Sequence, residues 1–301
     1  MITIHANLKR HKLIMQWNAL YVICYTYFSE RGKSMKKRSY YLYLLILFFL
    51  ISCSTVPVTG RMQLNLIPAD SMLSMSYQEY DKFLKSNKLS TNTVEANRVK
   101  RVGKNIEQEV YRYFSGINKT QELSGYKWEY NLVESKDVNA WCMPGGKVVI
   151  YTGILPMTLD DTGLAVVMGH EIAHAIAQHG NERMSQQLAL QMGGQALATA
   201  VSTQPALTQQ LWMAAFGLGS QVGILLPYSR LQENEADLLG LTFMAMAGYD
   251  PRKAIDFWER MTKSKTGQTP PEWLSTHPAD QTRIQHIKSI MPSVMKYYKA
   301  G

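Results

Sequence analysis

Cysteine is scarce in this chain: there are three among 301 residues, Cys24, Cys53 and Cys142. So small a number excludes a disulfide-stapled fold. Charge is missing from one long interval, since no Asp, Glu, Lys or Arg occurs in the 45 positions from Ser185 to Ser229, whereas soluble domains average about 25% charged residues. The same interval also lacks a long apolar run. Gln186, Gln187, Gln191, Gln195, Gln204, Gln209, Gln210 and Gln221 break it up, and no piece reaches the roughly 18 residues that a membrane-spanning helix needs. Gly193, Gly194, Gly217, Gly219 and Gly223 mark joints in it. The interval is therefore expected to form two helices packed near a cleft, as a lid or as plain core. No period of about 20–50 residues recurs, which excludes tandem repeats.

Basicity is also scarcer than the formal charge of +9 suggests: eight of the 32 Lys and Arg residues and one of the 23 acidic residues lie in positions 1–52, so the remainder carries +2. No basic stripe is left to neutralise phosphates, which excludes nucleic acid as a partner. The basic residues belong to a leader pattern. Met35-Lys36-Lys37-Arg38 is a basic n-region, Tyr40 to Ile51 an apolar core, and Leu50-Ile51-Ser52-Cys53 resembles a bacterial lipobox. Residues 35–52 are thus expected to be a lipoprotein signal peptide, with Cys53 lipidated, and residues 1–34 an extension from an upstream start codon. Ser54 is not the aspartate associated with inner-membrane retention. The expected location is therefore a lipid-anchored position on the periplasmic face of an outer membrane.

Past Cys53, residues 53–62, with Pro57 and Gly60, are expected to be a tether, and residues 63–301 one domain. Asp70 to Leu84 and Thr93 to Phe114 have amphipathic helical spacing, the second through Val94, Val99, Val102, Ile106 and Val110. Lys127 to Val133 alternates as a strand through Trp128, Tyr130 and Leu132. Pro144-Gly145-Gly146 supplies a turn before the apolar strand Lys147 to Thr152. The resulting class is α+β, predominantly helical, with a small sheet.

Chemistry concentrates in His170-Glu171-Ile172-Ala173-His174. Positions four apart on a helix lie within about 40° of one another, so the imidazoles of His170 and His174 can grip one ion while Glu171 stands beside them. Zinc takes nitrogen at about 2.0–2.1 Å and keeps an open position for water, and a neighbouring carboxylate can accept that water's proton. From Gly163 to Ala177 these three are the only polar side chains. Such a helix is buried on nearly all sides, and an unpartnered Glu there would be costly. Asp160, Asp161 and Thr162 offer N-caps, and Gly180 a stop.

A third ligand is expected from a second helix over Ser229 to Gly240. Glu233 can reach the metal, and Asp237, one turn on, can accept the free ring N–H of a ligating histidine. Glu235 points about 200° away from Glu233 and is expected to be solvated or salt-bridged. Cys142, beside Trp141, fits a small buried hydrophobe.

In order along the chain, Asn139-Ala140-Trp141-Cys142-Met143-Pro144-Gly145-Gly146, HEIAH, SRLQENEADLLG, and Thr276-His277-Pro278 with Arg283-Ile284 resemble the HtpX-like and CAAX prenyl protease type-1 family of zinc metalloendopeptidases. The resemblance implies a zincin-like domain with the sheet beside the HExxH helix. It also implies one zinc held by His170, His174 and Glu233, with Glu171 as base, Asp237 in support, and hydrolysis of peptide bonds in misfolded or misassembled envelope proteins. His277, biased to extended backbone before Pro278 where a helix begins, is expected either to donate to the oxyanion or to bind zinc, with Arg283 anchoring its loop. Asn139, Lys147, Val148, Val149 and Ile150 are expected to bind substrate backbone as an added strand. The competing expectation is a lipid-anchored, chaperone-like module with an idle or structural zinc. Glu171 argues against it, because a closed structural site has no use for a base.

Overall fold

The computed structural model describes residues 53–192, 229–264 and 271–299. Residues 1–52 and most of the uncharged interval, residues 193–228, lie outside the described residues, so the expected signal peptide and the expected helix pair of the uncharged interval lie outside them too. No described helix is long and apolar enough to cross a membrane.

Strands β1 (Cys53–Thr55) and β2 (Met62–Leu64) open the compact unit, followed by helices α1 (Ala69–Ser86) and α2 (Thr93–Gly116). Next come β3 (Glu129–Val133), β4 (Ala140–Met143), β5 (Lys147–Tyr151), the short α3 (Leu155–Thr158), α4 (Asp161–Ile176) and α5 (His179–Met192). The remainder is helical: α6 (Arg230–Met246), α7 (Lys253–Lys263), α8 (Glu272–Thr276) and α9 (Gln281–Val294). The α+β class expected from the sequence is the class observed.

Asn92 caps α2 by accepting from the Glu95 N–H at 3.2 Å. Val99, Val102, Ile106 and Val110 are buried along one face, as their spacing requires. Val94, counted with that face, is exposed in the first turn.

The larger sheet has the order β3-β5-β4, with β5 parallel to β3 and antiparallel to β4. Gly145, at φ +82°, makes the β4–β5 turn. Strand period two splits the sheet between two cores. Val148 and Ile150 face the main core with Tyr130 and Leu132, whereas Val149 joins Trp141, Met143 and Val133 against Met72 and Tyr80 of α1 and Met184 and Leu188 of α5. Helix α4 lies in the main core, between α2, α6 and the sheet.

Residues 53–62 are not a tether. Cys53↔Leu64 and Thr55↔Met62 pair as an antiparallel hairpin, Val56 is fully buried in the main core, and Arg61 forms ion pairs with Glu182 and Glu235. Pro57 and Gly60 shape the loop of this hairpin. The burial of Val56 and the Arg61 pairs depend on distant partners, which local composition does not reveal.

Candidate metal centre

Helix α4 starts at Asp160, whose side chain accepts from the Gly163 N–H at 2.8 Å. Every residue from Gly163 to Ile176 is buried. Its end differs from expectation. Gln178, not Gly180, takes the left-handed conformation at φ +59°, held by Asn65 Nδ2 donating to its Oε1 at 2.9 Å. Gly180 lies inside α5. The reversal at Gln178 returns the chain at once, so His179 meets His174 edge to face with ring centroids 4.9 Å apart.

Helix α6 carries a full capping box between Ser229 and Gln232, and it buries Glu233, Glu235 and Asp237. Glu233 Oε1 lies 3.3 Å from His174 Nε2 and 2.9 Å from His277 Nδ1, and its Oε2 lies 3.5 Å from His170 Nε2. One donor atom each from His170, His174, Glu233 and His277 falls within 4.8 Å of all the others, and these residues are all buried. Asp237 Oδ1 accepts from His170 Nδ1 at 3.1 Å, and Arg283 grips Asp237 with Nε at 2.9 Å and Nη2 at 2.7 Å.

Burial alone would raise the Glu233 and Asp237 carboxyls, but Arg283, joined at Glu233 by His277 and His170, holds both below the usual carboxylate range. Burial and Arg283 likewise oppose a charge on His170, yet Glu233 and Asp237 outweigh them and lift it to about 9. These carboxylates favour a positive charge on His170, whereas burial and the neighbouring His170 hold His174 well below its ordinary value. Two facing imidazole nitrogens 3.1 Å apart, His170 Nε2 and His174 Nε2, with a carboxylate across from them, are the N/O donor set that zinc takes. The residues present fit that ion.

Glu171 is held from the other side. Trp273 Nε1 donates to Glu171 Oε1 at 2.7 Å, and His277 Nε2 lies 3.4 Å from the same oxygen. Helix α8 delivers both partners: the Trp273 N–H donates to the Val138 carbonyl at 3.1 Å, and the His277 N–H to the Trp273 carbonyl at 2.9 Å. Trp273 stacks on Trp258, over whose ring the Arg283 guanidinium lies 3.5 Å from the centre. His277 closes α8; the next helix begins only at Gln281, capped by Asp280. The expected helix start at His277 is thus a helix end. Arg283 does anchor the loop, with Nη1 donating to the Pro278 carbonyl at 3.3 Å.

The substrate strand is corrected. Strand β5 is paired on both edges, so Lys147, Val148, Val149 and Ile150 have no ladder left to offer. Lys147 is buried, bonded to Glu129 and lying over the rings of Tyr77 and Tyr80. Asn139 turns back on the chain and accepts from the Ala140 N–H at 2.8 Å. The edge strand beside α4 is β4. Because the Tyr151 N–H donates to the Asn139 carbonyl, odd-numbered residues of this segment bond β5, and the backbone of Ala140 and Cys142 points outward.

Glu235 is salt-bridged and not solvated: it accepts from Arg61 Nε at 2.8 Å, from Thr59 Oγ1 and from His179 Nε2 at 2.9 Å. Burial would raise its carboxyl, but these bonds hold it at about 2. Burial keeps His179 below its ordinary value, against the pull of Glu235. Cys142 is buried and its thiol pushed up, as a small core residue's would be. Sequence reasoning missed Trp273, His179 and Arg61, because each acts through a partner more than 50 residues away or across a chain reversal.

Two histidines one turn apart, a carboxylate between them, and a glutamate from a second helix, set beside a small sheet, define a zincin-like metalloprotease domain. The chain belongs to peptidase family M48, whose model matches residues 103–291. It is similar to metalloendopeptidase OMA1, mitochondrial, of Bos taurus, at 31% identity over 261 residues, covering 84% of this chain and 49% of that protein. It is also similar to the beta-barrel assembly-enhancing protease of Yersinia pestis, at 28% over 169 residues, covering 54% of this chain and 34% of that protein. Metalloprotease YcaL of Escherichia coli matches at 28% over 171 residues, covering 57% of this chain and 65% of that protein. The chain spans about half the length of the OMA1 protein it matches. The resemblance drawn to HtpX-like and CAAX prenyl proteases therefore stands at the level of the family, and these relatives are of other kinds.

Proposed function

We propose that this chain is a zinc-dependent endopeptidase acting on misfolded or misassembled proteins of a bacterial cell envelope, to which a lipid on Cys53 holds it. The observation that carries the catalytic part is the convergence of His170, His174 and Glu233 donors with Glu171 oriented beside them. Bound zinc, one per chain, supplies Lewis acidity to a peptide carbonyl and lowers the pKa of water. Glu171 Oε1 is engaged by Trp273, so Oε2 takes the proton of the attacking water and returns it to the leaving amine. Asp237 fixes the ring of His170 through Nδ1. His277 Nδ1 lies 3.1 Å from His170 Nε2 and 2.9 Å from Glu233 Oε1; it would join these residues in holding the ion and so keep the site at rest until substrate displaces it. An extended substrate pairs along the outer edge of β4.

The envelope and the anchor rest on the leader pattern over 35–53, and the Yersinia pestis relative, named for enhancing β-barrel assembly, supports a role linked to protein assembly. With the hairpin beginning at Cys53, a lipid there holds the domain directly at the membrane surface, without a free tether. Zinc analysis together with hydrolysis of an unfolded protein tests the catalytic part. The wild type is expected to carry about one zinc, to stop cutting on chelation and to recover with zinc, while Glu233→Ala binds none. Cutting that survives chelation contradicts it. The anchor is tested by a high-salt wash of membranes, which should release Cys53→Ala but not the wild type.

A further inference from the structure

His179 lies outside the HExxH pentad, yet it is fully buried between a metal-facing histidine and a carboxylate. Its Nδ1 is 2.8 Å from His174 Nδ1, and its Nε2 is 2.9 Å from Glu235 Oε2. Resting on the metal reading above, we propose that His179 is a positioning residue that fixes the tautomer of His174, so that His174 Nε2 presents its lone pair to the metal.

A carboxylate only accepts, so the His179 nitrogen facing Glu235 carries a hydrogen. Glu235 is already balanced by Arg61 Nε at 2.8 Å and bonded by Thr59, and a second buried cation would be costly there. His179 is therefore neutral, and its Nδ1 is an acceptor. The hydrogen in the 2.8 Å contact then belongs to His174 Nδ1. A neutral imidazole carries one N–H, which leaves His174 Nε2 bare where it faces His170 Nε2 and Glu233. Run the other way, the chain of donors would put an N–H on His174 Nε2 and block coordination.

The two histidines of one helix are thus oriented by different devices: His170 directly by Asp237, and His174 through His179 and Glu235. The left-handed Gln178 makes the second device possible by reversing the chain immediately after α4. Thr59 and Arg61, in the loop of the N-terminal hairpin, close the outer end of the relay.

Nitrogen-15 NMR of the metal-free full chain, labelled at histidine, reads the tautomer without any variant. His174 is expected in the Nδ1–H form. Zinc affinity by chelator competition gives the second readout. His179→Phe keeps a ring but removes the acceptor, and should weaken zinc binding about 10–100-fold. His179→Gln, whose amide oxygen can accept from His174 while its NH2 donates to Glu235, should recover most of that loss. A purely packing role predicts the reverse order, with Phe above Gln. An Nε2–H form of His174 in the wild type, or zinc binding by His179→Phe at or above His179→Gln, overturns the proposal. A wild type that binds no zinc sinks the metal reading instead, and the His174 tautomer still decides whether the relay exists.

Discussion

Gly169 and Gly240 touch backbone to backbone where α4 crosses α6: a Cβ on Gly240 would stand 2.7 Å from the Gly169 carbonyl carbon and 2.8 Å from the His170 nitrogen. This approach brings Glu233 and Asp237 of one helix within reach of His170 and His174 of the other. Gly240→Ala must push the helices apart, because backbone cannot rotate out of the way. Overpacking of this kind costs about 1–3 kcal/mol, and the expected result is a lower denaturation midpoint together with weakened zinc binding. A variant of normal stability and normal zinc affinity would show that the close crossing does not set the site.

Trp273→Phe isolates the bond to Glu171. The ring can still stack on Trp258, but the N–H that orients the carboxylate is gone. Hydrogen bonds to charged groups contribute about 1.5–3 kcal/mol, so kcat should fall by roughly 10–100-fold with zinc content unchanged. A change confined to KM would assign Trp273 to substrate binding.

His277→Ala separates the two roles open to that ring. Since its Nδ1 lies among the metal donors, removing it should leave three ligands, keep zinc bound and raise hydrolysis of an unfolded protein several-fold. A fall in kcat of about 10²–10³ at constant KM would instead make His277 a transition-state donor.

The Arg61 pair with Glu235 predicts an acid limb of stability. Against burial, bonds from His179, Thr59 and Arg61 depress the Glu235 carboxyl to about 2 in the folded protein. Its contribution is therefore complete above the ordinary carboxylate range and is lost as pH falls from about 4.5 towards 2. Arg61→Gln should be less stable than the wild type by roughly 2 kcal/mol near pH 6. In urea unfolding that gap should narrow below about pH 4; a gap constant down to pH 2.5 would contradict the pairing.

Much of the site was legible because its parts are local. HEIAH sits in an unbroken apolar helix, and SRLQENEAD carries its own cap and a four-residue acidic spacing, so periodicity put His170 with His174, and Glu233 with Asp237, on one face of each helix; that the two faces meet followed from the HExxH pattern and the family resemblance. What depended on the tertiary arrangement was not legible. Lys147 to Tyr151 has the composition of an edge or a central strand alike, and only the arrival of β3 as a parallel neighbour makes it central. Residues 53–62 have tether composition, and their order comes from Val56 reaching the core and Arg61 reaching Glu182 and Glu235. His179 gave no signal because its partner Glu235 lies 56 positions away.

Glu171→Gln tests the central claim most directly. Glu171 is held by Trp273 beside the donor cluster and is not one of its donors, so the amide should leave about one zinc bound per chain while lowering kcat by about 10²–10⁴-fold on an unfolded protein substrate. Zinc content and kcat measured on the same preparation give the answer: wild-type hydrolysis by Glu171→Gln, or loss of its zinc, would contradict the assignment of Glu171 as the base.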